Sequence, residues 1–179
     1  MSATPLPEVW QRGSVSGYEP LLMPVVHALI QVREDLESLV PVIPAQNVWL
    51  WPGGAASIGF HVRHTGGALD RLFTYVRGEL LTDAQRTALR EEGTAGDPPA
   101  SLDAVVTDVG KIIDRALKQL ADTSKESLLD ERKLGRAGLP TTVLGLLFHA
   151  AEHSTRHVGQ AITTARIVRA WPQAVTGDA

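Results

Sequence analysis

The 179-residue sequence contains no cysteine, few aromatic residues and no excess of positive charge. Without cysteine, the protein cannot form a disulfide, bind a metal through a thiolate or attack a substrate with its own sulfur atom. Any metal that it binds must therefore be held by nitrogen and oxygen atoms. The formal net charge is −3, which gives no sign of the basic patch that nucleic-acid binding requires. We therefore expect no nucleic-acid partner.

Long apolar runs are also missing. No stretch approaches the roughly 20 apolar residues of a membrane span, and the N-terminus lacks a basic region followed by an apolar block. The sequence therefore predicts no membrane partner and, by default, a cytoplasmic location. Apolar residues make up 44% of the chain and charged residues 21%, which is typical of one globular domain with a real core.

Four stretches repeat apolar residues at the spacing of an α-helix, and no alternating strand pattern is visible. The predicted helices run from about 20 to 40, from Ser57 as N-cap to about Leu80, from Leu102 to Leu120, and from Pro140 or Thr141 to about 170. A short helix within 83–93 is an additional option, and 122–138 is interpreted as a charged connection. The predicted fold is an all-α four-helix bundle.

The chain divides into three parts on this interpretation. Residues 1–19 form an N-terminal extension, 20–170 a single bundle, and 171–179 a C-terminal tail. Two linkers, 41–56 and 81–101, are rich in proline, glycine and polar residues. They are long enough to cross an end of the bundle.

Five of the six histidines fall in two short segments. His149, His153 and His157 follow one another at four-residue intervals in the last predicted helix, and His61 and His64 lie in the second. Residues four apart share one face of a helix. Two imidazoles from one helix and a third from a facing helix would form an open three-ligand metal site.

Helical periodicity favours His153 and His157 as the inward-facing pair and places His149 on the far margin of the apolar stripe. In the second helix, His61 lies about 60° nearer to the apolar centre than His64. Periodicity alone therefore favours His61 as the third ligand. Metal ligands often lie at the boundary of a core, so both residues stay open at this point.

The run HAAEH at 149–153 also matches the H-x-x-E-H pattern of inverted zinc peptidases, in which two histidines bind zinc and the glutamate is the general base. Such an enzyme needs a larger fold and further ligand sequence, but only the 26 residues 154–179 follow His153. We therefore favour a metal site inside a helical bundle. Glu152 and Asp70 are the candidate general bases, although both are expected to face solvent or neighbouring helices.

Gly66 and Gly67 stand in the interior of the second predicted helix. Each costs about 1 kcal/mol relative to alanine. The pair predicts either a close approach by another backbone or a ligand, or a simple local weakness of the helix.

The segments SIGFHVRHTGGALDRL and HAAEHSTRHVGQ resemble the DinB-like superfamily of small bacterial proteins, and the resemblance extends from about Pro20 to Ala170. It implies a four-helix bundle with up-down-down-up connections that is often dimeric, which leaves a homodimer open. It also implies a divalent metal ion, zinc or nickel, bound by His64, His153 and His157. His61 and His149 would then lie beside the site.

The same resemblance implies a function. Some members of the superfamily are thiol-dependent S-transferases or isomerases, so we expect a metal-dependent enzyme that joins a low-molecular-weight thiol to a small-molecule substrate. Val158 departs from the commoner form of the motif, in which arginine follows the histidine, and nothing in the residues selects the thiol. The alternative is a non-catalytic, metal-binding or regulatory bundle.

Overall fold

The computed structural model of the protein describes residues 6–170, so the tail predicted at 171–179 lies outside the described residues. The helices are α1 (Met23–Leu39), α2 (Ile58–Val76), α3 (Asp83–Glu91), α4 (Leu102–Ala121) and α5 (Val143–Ala170), the strands are β1 (Glu131–Leu134) and β2 (Leu139–Thr142), and short 3-10 turns lie at Val9–Arg12, Pro20–Leu22, Val40–Val42, Ala45–Asn47, Pro52–Gly54 and Lys125–Ser127. Helices α1, α2, α4 and α5 form the bundle. The predicted fold class is confirmed.

Polar caps start three of the helices where the sequence places them. Ser57 Oγ accepts a hydrogen bond from the backbone N of Phe60 at 3.1 Å, which confirms Ser57 as the N-cap of α2. Thr82 and Gln85 form a reciprocal capping box at the start of α3. Ser101 caps α4 in the same way as Ser57 caps α2. These caps satisfy backbone N–H groups that would otherwise lack a partner.

The predicted end of α2 at Leu80 is wrong. The helix ends at Val76, and Gly78 follows with a φ of +76°, a left-handed conformation that stops a helix. Leu80 is therefore outside the helix and 84% exposed, so it does not belong to the apolar stripe.

The charged connection is not irregular throughout, because β1 and β2 form an antiparallel hairpin with Glu131 opposite Thr142. Each strand has four residues, too few to show an alternating pattern in the sequence. Gly135 and Gly138 both have positive φ values and allow the turn between the strands. Helix α5 consequently begins at Val143, not at Pro140 or Thr141, and Thr142 Oγ1 accepts the backbone N–H of Gly145 at 3.0 Å.

The core lies between the apolar faces of the four bundle helices. Its fully buried large side chains include Leu22, Leu29, Leu36, Ile58, Leu69, Ile113, Leu120, Leu146 and Leu147. Within residues 6–170 no helix is both long and apolar enough to cross a membrane.

The relative directions of α2, α4 and α5 determine which side chains of these helices meet. Helices α1 and α2 each contact both α4 and α5. Along α2 and α4 the residue numbers rise together, because a Cβ on Gly66 would lie 2.9 Å from Val109 Cγ2, and Gln119 Nε2 donates to the Phe73 carbonyl at 3.1 Å. These two helices are therefore parallel, as an up-down-down-up order requires of its middle helices. Helices α2 and α5 are antiparallel.

The close approach predicted from the glycine pair is present at Gly66. Val109 Cγ2 and Ile112 Cδ1 of α4 occupy the space that a Cβ would need, at 2.9 and 3.0 Å. Glycine at this position therefore lets α4 pack directly against α2, and the local cost of glycine is compensated by that packing.

Residues of the N-terminal extension that the structure describes pack on α1. The backbone N of Val9 donates to Gln31 Oε1 at 2.9 Å, and Val9 is buried. Arg12 pairs with Glu34 through both carboxylate oxygens. The extension therefore adds a small layer to the outside of the bundle.

Candidate metal centre

The histidines of α2 and α5 meet because the two helices are antiparallel. The cap at Ser57 starts α2 so that His61 and His64 lie in its first two turns, one turn apart. His153 and His157 are one turn apart near the middle of α5. The pairing runs in opposite directions along the chain, with His61 next to His157 and His64 next to His153.

Three of these side chains converge tightly. His64 Nε2 lies 2.9 Å from His153 Nε2. The ring centroid of His157 lies 4.4 Å from that of His64 and 4.6 Å from that of His153. One nitrogen from each ring can be chosen so that all three lie within 4.8 Å of one another. Metal–nitrogen bonds of about 2.0–2.1 Å need ligand atoms only slightly over 3 Å apart, so this donor set fits a divalent ion after small side-chain rotations.

His61 lies behind this group and not in it. It is only 7% exposed, as its place near the apolar centre predicts, and its Nδ1 is 3.1 Å from Nδ1 of His157. Because that contact uses Nδ1 of His157, Nε2 is the atom of this ring that would bind an ion. The structure therefore brings His64 together with His153 and His157, while the more deeply buried His61 can orient His157. Metal binding by the three stays a prediction.

A buried carboxylate holds the other side of His64. Glu92 Oε2 is 2.6 Å from His64 Nδ1, and Glu92 Oε1 accepts from Arg71 Nη1, also at 2.6 Å. The Glu92 side chain is 4% exposed. Sequence reasoning missed Glu92, which lies within a polar linker at 28 residues from His64. The one feature of the sequence that relates to this contact is Gly67, which lies beside Glu92 in the fold and whose missing side chain leaves space for the carboxylate.

The H-x-x-E-H residues are arranged differently from those of a zinc peptidase. His149 Nδ1 contacts Glu152 Oε1 at 2.8 Å, and Arg156 binds both oxygens of Glu152. His149, Glu152 and His153 also lie close enough to share an ion, but the Arg156 guanidinium already neutralises the carboxylate. Asp70 accepts from Gln85 Nε2 at 2.7 Å. Both candidate general bases are therefore bound to neighbouring side chains.

An aromatic pair forms one edge of the site. The ring of Phe60 stacks on His64 with a centroid distance of 5.3 Å and an interplanar angle of 15°. Trp51 lies 6.2 Å from Phe60 and is 51% exposed. The half-exposed Trp51 offers an apolar surface next to Phe60, which itself packs on His64.

The sequence profile of the DinB superfamily matches residues 28–161, about three quarters of the chain. The protein belongs to the DinB superfamily. Both His64 and the His153–His157 pair lie inside the matched region, and the resemblance noted in the sequence is confirmed. No curated protein matches the chain.

Among solved structures, this DinB superfamily member is similar to YfiT from Bacillus subtilis, described as a probable metal-dependent hydrolase with an unusual four-helix bundle topology. The TM-score is 0.63 at 12% sequence identity, and the match covers 88% of this chain and 93% of YfiT. At this identity the likeness shows that the two proteins share a fold.

In this DinB bundle the fold favours the neutral form of His153, His157 and the adjacent His61. Burial, followed by the charges of His64, His153 and His61, lowers the pKa of His157 to about 4. Burial and the neighbouring His64 also lower the pKa of His153 and of His61. A metal ligand must be a neutral imidazole, so these rings are ready to bind an ion at pH 7 without first losing a proton.

These shifts predict that the metal-free protein loses stability as the pH falls from about 6.5 to 4. In this window the unfolded chain binds a proton at His157, whose ordinary pKa is 6.5, while the folded chain does not. The contribution of His157 to the free energy of unfolding should therefore fall by less than about 1.4 kcal/mol per pH unit, because partial exposure screens the effect. Urea denaturation in the presence of a chelator measures this slope.

The matched variant for the pH experiment is His157→Gln, which cannot be protonated. Its stability should change less with pH than that of the unmodified chain between pH 6.5 and 4. Parallel profiles for the two proteins would show that His157 is not held neutral by the fold.

Proposed function

We propose that this DinB superfamily member is a divalent-metal-dependent enzyme whose ion is bound by His64, His153 and His157. The observation that carries the proposal is the convergence of these three imidazoles from two antiparallel helices. Nitrogen donors suit zinc and nickel, which are the ions that we favour. The bound ion would act as a Lewis acid that stabilises a thiolate or lowers the pKa of water.

The side chains of the chain itself would hold and orient this centre. Three neutral imidazoles leave the charge of the ion undiminished, and three protein ligands leave a coordination position for a substrate. His61 contacts His157, and Glu92 contacts His64, so the orientation of two of the three ligand rings is set by a second side chain. The exposed ring of Trp51 would pack against an apolar part of the substrate.

We further propose that the reaction is the transfer of a low-molecular-weight thiol to a small electrophile. A bound ion would favour the ionisation of either water or a thiol, but a free thiol already ionises near pH ~8.5 and therefore depends less on a protein base that takes its proton. The carboxylates of Asp70, Glu92 and Glu152 are all bound to other side chains. This arrangement favours the thiol reaction over the hydrolysis for which YfiT is described.

The first experiment is elemental analysis of protein purified without chelators and without an affinity tag of histidines. We expect one divalent ion per chain. The loaded protein is then assayed for metal-dependent consumption of glutathione, bacillithiol or mycothiol in the presence of alkylating electrophiles. Protein without a bound ion would contradict the proposed metal centre.

Spectra of the protein loaded with Co²⁺ distinguish an enzyme from a non-catalytic, metal-binding bundle. Substitution with Co²⁺ reports the number of protein ligands and whether an added thiol enters the coordination sphere. A spectrum that changes on addition of thiol supports the enzyme. A closed, fully protein-ligated ion with no response to thiols supports a structural or regulatory role.

A further inference from the structure

The residue that distinguishes His64 from the other site histidines is Glu92, at the C-terminal end of α3. Both of its oxygens are used, Oε2 by His64 Nδ1 and Oε1 by Arg71 Nη1, each at 2.6 Å. Burial of a carboxylate in this way is costly unless it is paired and hydrogen-bonded. Here, one permanently charged guanidinium and one imidazole satisfy it.

The Glu92 contact selects one tautomer of His64. An ionised carboxylate can only accept hydrogen bonds, so Nδ1 of His64 must carry a hydrogen and donate it in the bond to Glu92 Oε2. In a neutral imidazole the lone pair is then on Nε2. That is the atom of His64 that faces His153 Nε2 at 2.9 Å. Glu92 therefore directs the ligand atom of His64 towards the centre of the triad.

Gly67 provides the space that this arrangement needs. A Cβ on Gly67 would collide with Glu92 Oε1 and would lie 2.9 Å from Arg71 Nη1. A side chain at Gly67 would thus meet the ion pair of Glu92 and Arg71. A side chain at Gly66 would instead meet apolar side chains of α4. A residue larger than glycine at position 67 would therefore force Oε1 of Glu92 and the Arg71 guanidinium out of their present positions.

From these contacts we infer that Glu92, held by Arg71 and accommodated by Gly67, is a positioning residue that sets the orientation and donor strength of His64 as a metal ligand. This inference rests on the proposed metal centre. It assigns a role to the end of α3, a region for which the sequence predicts a polar linker with an optional short helix. Carboxylates that bind a metal-ligating histidine typically contribute about 10- to 100-fold in metal affinity.

The experiment compares Zn²⁺ dissociation constants, measured by competition with a chromophoric chelator, for the full chain and its variants. Glu92→Ala should weaken binding by about 10- to 100-fold, and Glu92→Gln by less, because its amide oxygen still accepts from His64. Glu91→Gln is the matched control, since Glu91 is exposed and adjacent. Its dissociation constant should stay within about twofold, well below the effect of losing the carboxylate.

Loss of Glu92 leaves the 11%-exposed Arg71 without its partner and endangers folding. Gly67→Ala is therefore the second variant, since it displaces the carboxylate while every charge remains. It should weaken Zn²⁺ binding in the same direction. Gly110→Ala is its control, because a Cβ on this helical glycine meets nothing within 4 Å, and its affinity should not change.

A second measurement excludes a purely structural effect. Long-range ¹H–¹⁵N correlation spectra of the metal-free protein should show the Nδ1–H tautomer for His64, with a shift towards Nε2–H in Glu92→Ala and Gly67→Ala. Unchanged tautomer and unchanged affinity in folded variants would overturn the positioning role while the metal centre stands. Absence of Zn²⁺ binding to the unmodified chain would overturn the metal centre and this inference together.

Discussion

Replacement of His153 by alanine is expected to remove the bound divalent ion. The variant keeps only His64 and His157 of the three converging imidazoles. The affinity for the metal ion should fall by more than about 100-fold. Even removal of a side chain that hydrogen-bonds to a metal ligand lowers metal affinity by about 10- to 100-fold. Equilibrium dialysis with elemental analysis measures the loss directly.

The same variant should also lose the stabilisation that metal binding brings. An ion at about 1,000 times its dissociation constant raises the free energy of unfolding by about 4 kcal/mol. The unmodified chain should therefore melt at a higher temperature with the ion than without it, whereas His153→Ala should melt at one temperature in both conditions. The metal-free forms should differ by less than this, because the substitution removes one hydrogen bond, between Nε2 of His153 and Nε2 of His64, and Nδ1 of His153 makes none within the described residues.

His27→Ala is the control for this substitution. His27 is the histidine outside the two clusters, and its Nε2 contacts the carbonyl of Gly13 at 2.9 Å, away from the site. This variant should keep one ion per chain. Retention of a full equivalent of tightly bound ion by His153→Ala would contradict the assignment of His153 as a ligand.

Replacement of Leu147 by alanine is expected to cause a large loss of stability without a loss of the metal site. Leu147 is completely buried on α5, the helix that carries His153 and His157. Truncation of a buried leucine costs about 2–5 kcal/mol, because it removes apolar contacts and leaves a cavity. Urea denaturation of the metal-free protein measures the change.

Leu144→Ala is the matched control on the same helix, because Leu144 is 36% exposed. It should lower the free energy of unfolding by much less than Leu147→Ala does. Both variants should still bind one ion per chain under conditions in which they are folded. Equal losses for the two variants would mean that α5 does not turn its Leu147 face towards the core.

Local sequence information was sufficient for the existence of the bundle helices, though not for the end of α2 or the start of α5, and for the shared face of His153 and His157. Repeated apolar residues and the capping side chain of Ser57 act over one or two turns, so their effect can be seen without the rest of the fold. The pairing of His153 with His157 follows from the four-residue repeat of a single helix. The hairpin escaped prediction because its pairing depends on contacts across a turn between two very short strands.

The choice between His61 and His64 shows where local information ends. Periodicity correctly placed His61 closer to the core, but depth of burial does not determine which ring meets a neighbouring helix. His61 meets the back of His157, and His64 meets His153 at 2.9 Å. The choice of His64 in the sequence therefore depended on family resemblance, and the geometry that brings it to the triad comes from the antiparallel packing of α2 against α5.

The sequence by itself determined the helices of the bundle, the cap at Ser57 and a set of imidazoles without competing thiols, because these depend on composition and on spacing within one helix. Only the tertiary structure decided which histidines meet, that Glu92 and Arg71 stand behind His64, and that Gly67 makes room for them. The physical reason is that these contacts join residues from separate helices. Their distances are set by helix packing and not by separation along the chain.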